Sequence, residues 1–256
     1  MDGHNVPVAL PTLVVIGAMK CGTTAVHAHL DKHPGIAMAS GKELNFFFGP
    51  DLPPPEPPDR WWRRGQWHRG KEWYGGQFDT SAAVRGEASP GYTDPSHPEV
   101  AARMQSLLPD VRLVYLVRDP VERAASQWAH HVRDGTEPRP MEQALLDPGS
   151  QYLARSRYLE RVLPFLEAFR AEQLLVVVQE RLLADPRGEL RRVFEHVGAD
   201  PDYWDDAMTG REHEADDVTE VPDTVRRRFW DEVGDDADAL RSLLDDEISE
   251  WHDPRR

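Results

Sequence analysis

The amino-acid sequence predicts an α/β fold in three layers, a central parallel β-sheet flanked by helices. Three observations carry this. Short apolar runs alternate with stretches of helical periodicity, the pattern of repeated strand–helix–strand units. Two of those runs, "RLVYLV" at 112–117 and "QLLVVVQ" at 173–179, have the unbroken apolar core expected of buried strands. The 256 residues suffice for one large domain whose core needs no covalent staples. A single domain over residues 1–256 is therefore expected.

The elements follow in order. "TLVVIG" (12–17) reads as the first strand, and 24–32 as its helix, stopped ahead of His33-Pro34 because proline drives its predecessor out of the helical region. "IAMAS" (36–40) and "VRGEAS" (84–89) read as shorter strands. The next helix has Ser96 and Glu99 as a capping box ahead of Val100, Met104, Leu107 and Leu108. After the 112–117 strand, Asp119-Pro120-Val121-Glu122 supplies a cap, a first-turn proline and a reciprocal glutamate for a helix that ends near Asp134-Gly135. Past the 173–179 strand, Asp185-Pro186 opens a helix to about Val197, with Gly198 as terminator. The acidic tail, 222–250, reads as two helices around Gly234. Residues 50–78 break the rhythm. A proline cluster is followed by "RWWRRGQWHRGKEWYGGQF", which holds four of the eight tryptophans. Such a loop is either pinned to the body by its aromatics or is a lid over an acceptor site.

Composition narrows the partners. A net charge of −15 argues against nucleic acid, an anionic membrane or a long polyanion. Cys21 is the sole cysteine, so no intramolecular disulfide can form. The N-terminus lacks a basic, then apolar, leader pattern, and no apolar run reaches the ~18–20 residues of a membrane span. A cytoplasmic protein is expected.

The chemistry is concentrated at "VVIGAMKCGTT" (14–24). A strand that ends in a glycine loop and feeds a helix aims backbone N–H groups and the helix dipole at an anion. Thr23 and Thr24 add hydroxyl donors. The glycines have the spacing of a nucleotide-triphosphate loop, but Thr23 stands where its lysine belongs, and the only lysine is Lys20, inside the loop. A lysine there is placed for a bridging oxygen rather than for the β- and γ-phosphates. No strand ends in an obvious Mg²⁺-binding aspartate, because Asp119 reads as a helix cap. This gives a P-loop-like fold with a changed loop.

"GAMKCGTT" resembles the 5′-phosphosulfate loop of sulfotransferases, G-x-x-K-[SCAT]-G-T-[TS]. "LVRDPVERAASQ" resembles that family's 3′-phosphate motif, which here supplies Arg118 at a strand end and Ser126 in the following helix, about 100 residues on. Arg118 offers a planar fork to a phosphate. "KELNFF" (42–47), "KEWYGGQF", "GEASPGY" (86–92), the pair "SRYLERVLPFLEAF" and "QERLLADPRGELRRVFEHVG", and "TGREH" (209–213) are similar to further stretches of the heparan-type branch. The likeness spans roughly residues 12–250.

The resemblance implies 3′-phosphoadenosine 5′-phosphosulfate as co-substrate, adenosine 3′,5′-bisphosphate as product, and no metal. It places Lys20, Cys21, Gly22, Thr23, Thr24, Arg118, Ser126 and Arg211 at the nucleotide. It assigns Lys20 to the departing oxygen and Glu43 to the base. His27, His29, His33, His68, His130 and His131 are rival bases, His68 the strongest of them, and His68, Trp73 and Tyr92 are candidate acceptor contacts. In one departure, Ala88 stands where the family's E-K-[ST]-P stretch carries lysine, so either Arg85 or an arginine of the 50–78 loop supplies that charge, or the acceptor differs from the family's. A small-molecule, natural-product or carbohydrate acceptor fits better than a glycosaminoglycan polymer. A Mg²⁺/ATP phosphotransferase and a non-catalytic nucleotide-binding protein are the two alternatives.

Overall fold

The computed structural model of the chain describes residues 9–55, 65–209 and 220–256. Five strands, β1 (Leu13–Gly17), β2 (Ile36–Met38), β3 (Val84–Ala88), β4 (Arg112–Val117) and β5 (Leu174–Val178), form one sheet in the order β2-β3-β1-β4-β5, and every pairing is parallel. The helices are α1 (Thr23–Lys32), α2 (Gly70–Gly75), α3 (Val100–Leu107), α4 (Pro120–Arg133), α5 (Met141–Leu145), α6 (Gln151–Ser156), α7 (Tyr158–Ala168), α8 (Gln179–Ala184), α9 (Pro186–Val197) and α10 (Asp223–Leu244). The chain leaves β1 for the β2–β3 side and then crosses to β4 and β5. That reversal opens a crevice beyond the C-terminal end of β1, the usual ligand position of open parallel sheets. All of β1 is buried, which explains its unbroken apolar sequence.

Local signals set several boundaries. The Asp119 carboxylate accepts from the backbone N–H groups of Val121 (2.9 Å) and Glu122 (3.1 Å), with Pro120 as first residue of α4. Glu122 does not reach back to complete a box; it pairs with Arg226 of α10. Asp185 caps α9 and Gly198, at φ 78°, ends it. The Ser96–Glu99 box does not form. Ser96 is instead held by the Asp94 carboxylate, and Glu99 is itself the cap residue of α3, 3.7 Å from Arg103.

The acidic tail is corrected more substantially. It forms one helix, α10, that runs straight through Gly234. Glycine costs about 1 kcal/mol in a helix interior, but here it is a contact residue. A Cβ at Gly234 would collide with the guanidinium of Arg255, which the returning C-terminus lays against the helix. Arg255 and Arg241 both donate to Asp253, at 2.7 and 3.1 Å, and fasten that return. Burial pushes the Asp253 carboxyl up, but the bonds from Arg255 and Arg241 outweigh it and leave the pKa at about 2. The folded value lies below the ordinary ~3.9. Asp253 therefore stabilises the fold above about pH 4, and that contribution is lost as pH falls through the folded value. Asp253→Asn should lower the melting temperature at neutral pH, with a gap to the parent that narrows between about pH 5 and pH 3. A gap that stays constant in circular-dichroism melts across that range would contradict the assignment.

The described part of the tryptophan-rich segment is pinned to the body. Trp67 packs on Phe46 (5.3 Å between ring centres), donates from Nε1 to Asp51 at 3.0 Å, and carries Arg103 over its face. Residues 56–64, with Trp61, Trp62, Arg63 and Arg64, lie outside the described residues.

Candidate active site

The loop between β1 and α1 is built from contacts that only its own residues satisfy. Ala18 N–H donates to Leu116 O of β4 at 2.8 Å, so the loop leaves the sheet anchored to the neighbouring strand. Gly22 takes φ 88°, a backbone conformation that calls for glycine, and a Cβ there would also press to 3.2 Å from Gln179 Nε2. Lys20 also has a left-handed backbone, φ 68°, which is costly for a side chain of its size. Cys21 points inward. It is fully buried, and burial pushes its thiol up to about 11, so it serves as packing beneath the loop. Gly22 caps α1, and Thr23 and Thr24 open the helix, Thr24 half-exposed.

Glu43 lies past β2 in a loop with two more left-handed residues, Glu43 at φ 60° and Asn45 at φ 52°. Its side chain is 23% exposed. Lys42 joins it to the phosphate loop. The Lys42 ammonium donates to Thr24 Oγ1 and lies 3.5 Å from Glu43 Oε1. Burial pushes the Lys42 pKa down, Glu43 pulls it up, and the nearby Lys20 charge pushes it down again. Two ammonium groups and one carboxylate thus share the crevice.

Arg118 directly follows β4 and Ser126 lies on α4, both half-buried. Tyr158, from α7, stitches this region to the loop. Its hydroxyl donates to Arg118 O at 2.8 Å and lies 3.5 Å from Cys21 Sγ. Arg123, the inner arginine of the same motif, is a core residue: its guanidinium donates to Ser156, Gln127 and Tyr152 O and is fully buried.

A cleft of about 230 Å³ opens beside the loop, lined by Met19, Glu43, Asn45, Asp94, Gln151 and Arg155, among others. Its wall also carries His97, His130 and His131. Burial pushes His97 and His131 below their ordinary pKa, so both are neutral near pH 7. His97 stacks on Phe48 at 4.0 Å, and His131 shares a hydrogen bond with Tyr152 at 2.9 Å. Neither His68, Trp73 nor Tyr92 lines this cleft. Trp73 packs towards Phe46 beneath Arg69, and Tyr92 is buried with its hydroxyl engaged by Glu87 and Phe46 N–H. Arg211 lies outside the described residues.

Arg85 is not placed to replace the charge absent at Ala88. It donates to Leu10 O at 3.1 Å and Ala82 O at 2.6 Å, at the N-terminal edge of the sheet. The cation brought to the cleft is Arg155, paired with Asp94 and 3.0 Å from Met19 Sδ. Arg155 carries no local sequence signal, since α6 brings it to the cleft, while His130 and His131 come from α4 and His97 from the segment ahead of α3. Lys42 was legible as the first residue of the "KELNFF" stretch, adjacent to Glu43, but its bond to Thr24 was not. A larger depression of about 550 Å³, bounded by Arg226, Arg241 and Trp251, contains none of the predicted site residues.

A P-loop-like group-transfer enzyme is the class that this fold and crevice define. The chain belongs to the sulfotransferase family, whose model, described as "Sulfotransferase family", matches residues 11–206. It is 30% identical over 199 residues to heparan sulfate glucosamine 3-O-sulfotransferase 3B1 of Mus musculus, covering 74% of this chain and 46% of that one. It is 29% identical over 196 residues to bifunctional heparan sulfate N-deacetylase/N-sulfotransferase 1 of Caenorhabditis elegans, covering 70% and 21%. The chain thus spans about half or less of the length of these curated relatives. Among solved structures, a sulfotransferase from Alicyclobacillus acidocaldarius superposes with a TM-score of 0.79 at 28% identity, covering 97% of this chain and all of that one. No helix among the described residues is long and apolar enough to cross a membrane.

Proposed function

We propose that the protein transfers a sulfuryl group from 3′-phosphoadenosine 5′-phosphosulfate to a hydroxyl or amine of a small-molecule or carbohydrate acceptor. The observation that carries this reading is the Lys42 bridge, which ties the proposed base Glu43 to Thr24 of the phosphate loop. The bond from sulfur to the acceptor oxygen, or to nitrogen for an amine, forms as the S–O bond to the 5′-phosphate breaks. Glu43 takes the acceptor proton. Lys20 offers an ammonium to the oxygen that gains the electron pair. The first N–H groups of α1, with Thr23 and Thr24, suit the 5′-phosphate, and Arg118 and Ser126 suit the 3′-phosphate. The leaving group is a single phosphate, so the proposal assigns no role to a metal.

The test is a transfer screen with a phenol, an amino sugar and a desulfated heparan oligosaccharide, read by mass spectrometry as the gain of one sulfuryl group. Transfer only from ATP with Mg²⁺, abolished by chelator, would favour a phosphotransferase. Binding of adenosine 3′,5′-bisphosphate with no turnover of any donor would favour a non-catalytic role. Arg118→Ala should weaken calorimetric binding of adenosine 3′,5′-bisphosphate by roughly 10- to 100-fold and leave adenosine 5′-phosphate nearly unchanged. Equal losses for the two would refute the 3′-phosphate assignment.

A further inference from the structure

Glu87 opens the E-A-S-P-x-Y stretch (87–92), is fully buried, and no ion pair partners it among the described residues. Three hydroxyls converge on its carboxyl group. Tyr74 and Tyr92 donate to Oε1 at 2.6 and 2.7 Å, and Ser89 donates to Oε2 at 2.7 Å. The owners of all three also hold the loop that carries Glu43. Asn45 N–H donates to Ser89 Oγ at 3.1 Å, and Phe46 N–H donates to Tyr92 Oη at 3.0 Å. Tyr74 stacks flat on Phe46, with ring centres 4.1 Å apart. Glu43 N–H itself donates to Ala88 O at 3.0 Å, one residue from Glu87.

A hydroxyl has one proton. A carboxylate only accepts, so it compels Ser89 and Tyr92 to donate inward and leaves their lone pairs facing the loop N–H groups. Burial pushes the Glu87 pKa up, and the three hydroxyl donors oppose this by favouring the ionised form. We infer that Glu87 is a positioning residue for the base: through the orientation of the Ser89 and Tyr92 hydroxyls it holds residues 43–46 in their left-handed path and so aims Glu43 into the cleft. This rests on the reading of Glu43 as the base. It also gives Tyr92 a role one step removed from the acceptor.

The test uses Glu87→Gln, Tyr92→Phe and Ser89→Ala in the full chain. Turnover is read as release of adenosine 3′,5′-bisphosphate from the sulfate donor, with 4-nitrophenol or with water as acceptor. Tyr92→Phe should lower kcat about tenfold to a hundredfold, the cost of a misplaced catalytic group, with calorimetric affinity for adenosine 3′,5′-bisphosphate kept within about twofold. In a Glu43→Gln background the same change should cost almost nothing further, because a positioning residue acts only through the group it positions. In Glu87→Gln, which touches no loop amide directly, hydrogen exchange over residues 43–48 should accelerate. If Glu87→Gln does not fold, Tyr92→Phe and Ser89→Ala decide the matter. Should Glu43→Gln keep the parent kcat, the base assignment falls. Should Glu43→Gln be slow while the Tyr92→Phe loss is absent or simply multiplies with it, the positioning inference alone is overturned.

Discussion

Replacing Glu43 by glutamine is expected to lower kcat by about 10²–10⁴-fold, the usual contribution of a positioned general base. Binding of adenosine 3′,5′-bisphosphate should change by less than about twofold, because the nucleotide contacts proposed above all come from other residues. Glutamine keeps the volume and polarity of the side chain and removes only its capacity to take a proton. The Lys42–Thr24 bond does not involve Glu43 and should persist in the variant. The measurement is steady-state turnover beside calorimetry on the same preparation. Parent-like kcat would remove Glu43 from the chemistry. A parallel collapse of nucleotide affinity would show that its role is to hold the loop.

Lys20→Ala is the second large effect. Removing a charged donor from the site where charge develops typically costs about 10²–10³-fold in rate. Nucleotide affinity should fall much less, since the α1 N-terminus, Thr23, Thr24 and Arg118 remain. The left-handed backbone at Lys20 bears on the choice of control. Asparagine and glycine tolerate that conformation better than alanine does, so Lys20→Gly separates loss of the ammonium from added backbone strain. If Lys20→Ala and Lys20→Gly weaken binding as strongly as they slow transfer, the lysine is a ground-state contact and its assignment to the departing oxygen fails.

Much of the framework was legible because its signals are local. β4 was read to the residue, and α9 was bounded by Asp185, Pro186 and Gly198. The loop at 14–24, Glu43 and Arg118 were singled out from short motifs, and the fold brings the loop and Glu43 to one crevice. What escaped depends on distant parts of the chain meeting. Gly234 has the composition of a helix breaker, and only the return of Arg255 shows why α10 runs through it. Ser96 was read as a cap, but the Asp94 carboxylate takes its hydroxyl. Arg155 reaches the cleft because α6 faces it, and no window of sequence records that. Glu87 looked like one letter of a motif. Its meaning comes from Tyr74 and Ser89, which neither the spacing nor the composition singles out.

Tyr158 sets a dimension. One hydroxyl from α7 reaches both the sulfur beneath the phosphate loop and the carbonyl of Arg118, and the ring around it is fully buried. The separation of the two proposed phosphate contacts, the loop after β1 and Arg118, is therefore tied through the interior rather than left to surface loops. On the function proposed above, a bisphosphate isomer that carries its phosphates elsewhere on the ribose is expected to bind more weakly than adenosine 3′,5′-bisphosphate.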